Sequence, residues 1–265
     1  MRFDGPLRKM TTSFDTTIRY RLKLGEDLLL MNGLIGRTLR MNFKGEHTCF
    51  CGQLVPEVYR QNFCRECFFT KPEASPTILK PELSQAHLGI EERDLEYEKK
   101  VQLQPHVVYL AKTDRIKVGV TRYSQVPTRW MDQGAAQAIE VLRTENRYLA
   151  GQAEVLLKEH FTDKTSWRAM LKGTSTEESL QEAKDRALSL LPEELQRMAS
   201  PDGQLWDLEY PGTFELDKVN SLSFKEPGQQ WEGKLLGIRG QYLITSSGVF
   251  NVRSHEGFMI TLEIL

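Results

Sequence analysis

No stretch of this 265-residue chain stays apolar for the ~20 residues that a bilayer-crossing helix requires. The opening residues, MRFDGPLRKM, lack the apolar centre of a secretory signal. A cytoplasmic location with no membrane partner is therefore expected. Charge of one sign is missing too: 35 Lys and Arg oppose 36 Asp and Glu, for a net −1. That balance excludes a global attraction to nucleic acid, so any DNA or RNA partner has to be held by a local basic patch. There is no Walker loop and no G-x-G-x-x-G turn, hence no glycine-rich phosphate cradle of either kind. Internal repeats and low-complexity tracts are also absent, which argues against a solenoid or a disordered chain. Cysteine occurs only four times. In a reducing compartment those four are thiols or metal ligands, not disulfides.

The four are closely spaced. Cys49 and Cys51 form a C-x-C, Cys64 and Cys67 a C-x-x-C, with twelve residues between the pairs. Two tight turns that each present two thiolates provide the tetrahedral four-sulfur set that zinc favours, and Gly52 lets the first turn fold back. His47 is a spare donor that four thiolates leave unused. A structural Zn2+ is the expected cofactor.

Around this knuckle the chain divides by pattern. Residues 1–45 form an N-terminal β segment. In it FDTTIRYRLKL places Ile18, Tyr20 and Leu22 on one face and Arg19, Arg21 and Lys23 on the other. Residues 46–70 are the zinc knuckle. Residues 71–105, with four prolines and the run EERDLEYEKK, are a wrapping connector that ends in a short charged helix and is expected to be solvated. Residues 106–173 are a mixed α/β region and 174–200 a helical segment opened by a capping box at Ser175 or Thr176. PDG at 201–203 is a turn. Residues 201–265 carry short strands of a barrel-like part, with the glycines of GIRG marking a bulge or corner. The fold class is α+β. The strands near 16–24 and 37–45 have no obvious partner in their own segment, so they are expected to meet the C-terminal strands and share the barrel-like part.

The central region carries the chemistry. VVYLA and IKVGV, joined by KTDR, read as an antiparallel hairpin. That count places Tyr109 roughly opposite Lys117. Pro127 starts a helix with Arg129 and Trp130, AIEVLRT is a third strand, and a helix runs from Asn146 with Glu154 opposite an apolar stripe of Leu149, Leu156 and Leu157. These residues resemble the GIY-YIG nuclease superfamily. Tyr109 stands where the family has its first-strand tyrosine, and Gly119 closes the second-strand triplet. Arg129 stands for the arginine of the following helix and Glu154 for its metal-binding glutamate. The triplet reads KVG, so Lys117 replaces a tyrosine, and Val107 and Val108 replace the Gly-Ile of the first motif.

The resemblance implies an α/β region with a small mixed or antiparallel sheet and a divalent-metal nuclease. Glu154 would bind Mg2+ or Mn2+, which suit carboxylate oxygen. Arg129 would grip the phosphate, Tyr109 would orient or deprotonate water, and Lys117 would supply a fixed positive charge. Arg122, Trp130, Lys164, Trp167 and Arg168 are the candidate substrate-binding residues. Plainer roles exist for the same side chains. Tyr109 suits a strand tyrosine with a buried ring, Arg129 a partner of Asp132 or Glu154, Glu154 a helix surface charge, and Trp130 and Trp167 packing.

The whole chain also resembles an uncharacterised bacterial family. The segments that carry this are LRKM, CFCG with FCRECF, KPELSQAHLGIEERDLE, PTRWMDQGAAQA, NRYLAGQAE, DKTSWRAMLKG and GIRGQYLI. Three functions stay open at this point: a metal-dependent endonuclease, a non-catalytic zinc-containing module that binds nucleic acid, and a protein-interaction scaffold. Oligomeric state, strandedness and pathway leave no mark on the pattern.

Overall fold

The computed structural model describes residues 1–173, 176–201, 203–213 and 219–265. In chain order the strands are β1 (Arg2–Pro6), β2 (Thr11–Ser13), β3 (Arg19–Leu24), β4 (Asp27–Leu30), β5 (Thr38–Thr48), β6 (Leu54–Val55), β7 (His106–Lys112), β8 (Ile116–Arg122), β9 (Gln137–Thr144), β10 (Trp206–Asp207), β11 (Ser221–Leu222), β12 (Gln230–Arg239), β13 (Tyr242–Thr245), β14 (Gly248–Asn251) and β15 (Phe258–Ile264). The helices are α1 (Arg65–Thr70), α2 (Leu95–Gln102), α3 (Thr128–Asp132), α4 (Arg147–Leu157), α5 (Trp167–Leu171), α6 (Leu180–Ser189) and α7 (Glu193–Gln196). The chain is a mixed α+β protein of two compact units, one of residues 1–68 with 209–265 and one of residues 69–208.

The first unit is built on β5. Its alternating Leu39, Met41 and Phe43 are buried. β15 pairs on one side of it and β12 on the other, both antiparallel, and β1 extends the sheet beyond β15. The strands near 37–45 do meet the C-terminal strands. The strand near 16–24 does not pair with them, because β3 has partners of its own in β2 and β4, within a separate three-stranded sheet; it reaches the C-terminal part through the Ile18 N–H, which donates to the Glu209 carbonyl at 2.9 Å. β4 is only four residues long, too short to read as a strand from its pattern, yet it supplies the pairing locally. No barrel closes among the described residues. The large sheet runs β1-β15-β5-β12-β13-β14-β11 and stays open at both ends. In GIRG, the register shifts just before Gly237, and Gly240 turns the chain into β13 at φ 59°. The two glycines serve a bulge and a tight turn.

The second unit carries the four-stranded antiparallel sheet β10-β9-β7-β8. β7 and β8 form the expected hairpin, but Tyr109 pairs with Gly119 and Lys117 with Ala111. Tyr109 and Lys117 thus share a face as diagonal neighbours, not as an opposed pair. Val108, Leu110 and Val118 on the other face meet Ala150, Ala153 and Leu157 of α4 in the main core. Asn146 caps α4 by accepting from the Leu149 N–H at 3.0 Å.

Two expectations for helices are corrected. The buried side of α4 is Ala150, Gly151, Ala153, Glu154 and Leu157, while Leu156 is 40% exposed. Gly151 faces inward because the connector lies against this helix: a Cβ there would come within 2.4 Å of the Glu82 nitrogen. The capping box of α6 is Ser179 with Glu182, not Ser175 or Thr176. Ser175 lies outside the described residues, as does Asp202 of the PDG turn.

Nor is the connector simply solvated. Arg147 donates to the carbonyls of Thr77 (3.0 Å) and Ile78 (2.9 Å) and ties it to α4. Ser75, Thr77, Ser84 and Gln102 are buried and bonded among themselves. The Glu98 carboxylate, 2% exposed, accepts the N–H groups of Glu92, Arg93 and Asp94 at 3.1, 2.8 and 3.2 Å. Polar residues that read as wet are internal because each one finds its partner in another.

Candidate functional site

Two groups of side chains hold the chemistry. The first is the cysteine knuckle. β5 ends at Thr48, and the next four residues turn back through a Gly52 N–H to Cys49 carbonyl bond of 2.9 Å, with Gly52 at φ 91°. A second turn, Arg60–Phe63, passes through Gln61 and Asn62 at φ 50° and 63° and delivers Cys64 and, on α1, Cys67. The ligand atoms of all four cysteines lie within 4.8 Å of one another. The N–H groups of Cys51 (3.5 Å) and Cys64 (3.2 Å) point at the Cys49 sulfur. Burial works against a Cys49 thiolate, but those two donors and the neighbouring thiols outweigh it and bring the group below its ordinary value. Cys67 is driven the opposite way, by burial first and then by its sulfur neighbours. Four sulfurs at this spacing, with backbone donors already aimed at one of them, fit a tetrahedral ion of the zinc type. His47 takes no part: its Nδ1 lies 2.9 Å from the Pro56 carbonyl and its ring packs on Phe258 at 4.2 Å.

The second group is in the other unit. The Tyr109 ring crosses Gly119, and its hydroxyl donates to Gln133 Oε1 at 3.1 Å. Arg129, half-buried on α3, also hydrogen-bonds that hydroxyl. Burial raises the Tyr109 pKa; Arg129 and Gln133 oppose the rise and Glu154 adds to it. Lys117 is 7% exposed. Burial brings its ammonium down to about 8, Arg129 pushes the same way, and Asp114, Asp163 and Glu154 pull against them. Glu154 is 8% exposed and its carboxyl is raised by burial, with Lys158 at 3.4 Å as its ion-pair partner. Tyr109, Lys117, Arg129 and Glu154 thus stand within electrostatic reach of one another, brought by β7, β8, α3 and α4.

The remaining candidates separate. Trp130 is 0% exposed and packs edge-on to Tyr109 (5.9 Å) and Trp206 (5.8 Å), so it is core and offers no face to a ligand. Trp167 is half-buried with the Arg168 guanidinium 4.3 Å above its ring, and Lys164 is exposed on the loop before it. Arg122 ends β8, half-buried. Three groups near this site escape a sequence reading: Gln133, Arg147 and Glu82. Gln133 holds Tyr109. Arg147 is driven down by burial and lies among Glu154, Arg122, Arg129 and Glu82. Only a connector folded onto α4 brings Glu82 there, which no local pattern announces. Beyond the cysteines, no set of three or more His, Cys, Asp or Glu donors converges among the described residues. A divalent ion at Glu154 would have one carboxylate from the protein and otherwise water and substrate oxygens.

No helix of the described residues is long and apolar enough to cross a membrane. Neither the curated proteins nor the solved structures contain a match to the chain. A family model described as "Protein of unknown function (DUF2797)" matches residues 36–260, most of the length, and the chain is a member of that family.

Proposed function

We propose that residues 106–173 form a GIY-YIG-like site for metal-assisted hydrolysis of nucleic-acid phosphodiesters, in a cytoplasmic protein whose Cys49, Cys51, Cys64 and Cys67 hold a structural zinc. One observation carries the reading: Tyr109 and Lys117 share one face of the β7–β8 hairpin, and the charges of Arg129 on α3 and Glu154 on α4 act on both. The element order β7-β8-α3-β9-α4 agrees with it.

In this site Arg129 holds a non-bridging phosphate oxygen, the role for which a guanidinium fork is suited. Lys117 adds a second cation. Glu154 would hold a Mg2+ or Mn2+ ion, which would supply Lewis-acid stabilisation of the phosphate. Glu154 would hold that ion in the place where it now pairs with Lys158 at 3.4 Å, and Asp163, 3.9 Å from the same ammonium, offers Lys158 another carboxylate. Tyr109 keeps its proton, because burial raises its pKa and outweighs the opposing effects of Arg129 and Gln133. Its part is to fix Arg129, not to deprotonate water.

A second reading is a binding module that does no chemistry. It is favoured by Tyr109 being 1% exposed and by Glu154 already being paired with Lys158. Incubation of the full chain with single- and double-stranded DNA and RNA, with Mg2+ or Mn2+, separates the two. Hydrolysis that Glu154→Gln abolishes while binding persists, and Arg129→Ala weakens together with binding, supports the nuclease. Binding without cleavage under every metal condition supports the module. Absence of both removes the nucleic-acid reading.

A further inference from the structure

The chain that leaves α7 runs back beside β9. The Arg143 N–H donates to the Met198 carbonyl and the Ser200 N–H to the Val141 carbonyl, both at 2.9 Å, and Trp206 then pairs with Ala138. Between this returning segment and the residues that follow β8 lies a cavity of about 400 Å³. Its walls include Tyr123, Glu140, Arg143 and Trp206, all within the second unit. Glu140 is the cross-strand partner of Tyr109, so its carboxylate stands on the sheet face that carries Tyr109 and Lys117. Trp130 touches both places, packing on Tyr109 at 5.9 Å and on Trp206 at 5.8 Å.

Glu140 is 6% exposed. The Arg143 guanidinium (2.8 Å) and the Ser200 hydroxyl (2.9 Å) both donate to its Oε2, and Oε1 takes no bond among the described residues. The same guanidinium lies 4.3 Å above the Tyr123 ring, which is still 44% exposed. A nearly buried carboxylate with one oxygen unbonded lacks a donor. A pair that served stability alone would gain by being covered, yet a cavity of ligand size stands beside it. Aromatic and guanidinium surfaces in its walls suit a flat ring. A flat ring with N–H donors on its edge meets both conditions.

We infer that this cavity receives one nucleobase that bears an amino group, stacked against Tyr123 and Trp206 and donating to Glu140. Only the source of the base, a nucleic acid, rests on the phosphodiester reading. Uracil and thymine are rejected, because the pairing edge of each turns two carbonyl oxygens toward the carboxylate. Glu140 thus determines which base enters, and Tyr123 supplies affinity without choosing between bases.

The test uses the full chain and two pairs of nucleosides. Cytidine carries an amino group where uridine has a carbonyl, and guanosine carries one that inosine lacks. By calorimetry, the amino member of at least one pair is expected to bind about tenfold tighter. Glu140→Gln keeps the volume and an acceptor for Arg143 and Ser200, and it should erase that ratio. Tyr123→Ala should weaken both members about tenfold and keep the ratio, and Tyr123→Phe should restore the affinity. Displacement of the nucleoside by a single-stranded oligonucleotide identifies nucleic acid as the source. Nucleoside binding of this pattern, with no displacement and no oligonucleotide cleavage, retains the cavity for a free nucleoside and removes the phosphodiester reading. Equal affinities within both pairs, a ratio that Glu140→Gln leaves intact, or no binding of any of the four overturns the proposal, and cleavage seen alongside leaves the phosphodiester reading standing. If Glu140→Gln does not fold, the exposed Tyr123 decides: unchanged affinity in Tyr123→Ala overturns the proposal.

Discussion

The Tyr109 hydroxyl occupies the space that a side chain at residue 119 would need: a Cβ built on Gly119 would lie 2.6 Å from that oxygen and 2.7 Å from Cζ. The two residues are cross-strand partners, so the tyrosine folds over its own neighbour. Gly119 is needed here for its missing side chain.

Gly119→Ala should therefore push Tyr109 off Gln133 and Arg129. An overpacked, fully buried site of this kind costs about 1–3 kcal/mol. Chemical denaturation measures it. In a double-mutant cycle with Tyr109→Ala, the penalty at residue 119 should largely disappear, because the colliding ring is gone. A penalty that persists in the double variant would place the strain elsewhere.

Gly151→Ala strikes backbone instead of a side chain, since its Cβ would meet Glu82 N at 2.4 Å and the Pro81 carbonyl carbon at 2.6 Å. Backbone cannot swing aside, so the connector must lift from α4. Faster proteolysis within residues 71–95 than in wild type is the expected result, with a stability loss on the order of 1–3 kcal/mol.

Stability should fall with acid in a window set by His106. Its ring is 0% exposed, Nδ1 lies 2.7 Å from the Gln104 carbonyl, and burial brings its pKa from 6.5 to about 4. Between those values the unfolded chain takes up a proton that the folded chain refuses, so stability is lost as pH falls from ~6.5 to ~4. The loss amounts to roughly 3 kcal/mol and stops growing below pH ~4. His106→Gln should flatten this part of the pH–stability curve. An unaltered curve in that variant would assign the acid sensitivity to other groups.

The knuckle should carry about one zinc per chain by elemental analysis of protein purified without added metal. Cys49→Ser removes the sulfur that receives both backbone donors, and it should abolish zinc retention and destabilise the first unit by several kcal/mol. Removal of the metal by a chelator should reproduce that loss in wild type and leave the serine variant unchanged.

Much of the second unit is legible in the sequence because its signals are local. Alternation and a polar four-residue link specify the β7–β8 hairpin, and Asn146 announces α4. Where the structure departs from the sequence pattern, a distant segment decides the outcome. The leucines of α4 suggest its inward face, but the connector needs Gly151 against it, and Ala150 and Ala153 pack on the sheet. Ser175 and Thr176, standing just before the glutamates, suggest the capping box, and Ser179 with Glu182 forms it further along the chain. Trp130 reads as a stacking surface because a single sequence does not say which aromatic is covered, and here Tyr109 and Trp206 cover it. The cysteines are the clearest case, since their spacing alone restricts the geometry of two turns.

The central strand of the first unit bears on the timing of folding. β5 lies at residues 38–48, and its two flanking partners come from residues 230–264. On a ribosome β5 emerges long before either partner, with its apolar alternation unmatched. All of residues 69–208 is synthesised in that interval, as one continuous stretch with its own core. The second unit can complete itself while the first still waits, and a chain stalled near residue 220 would carry one finished core and a β5 paired only at its end with β6, the form in which chaperones and proteases would meet it. Closing so long a gap costs little at equilibrium, because loop entropy grows only with the logarithm of length. The burden of this topology is the waiting.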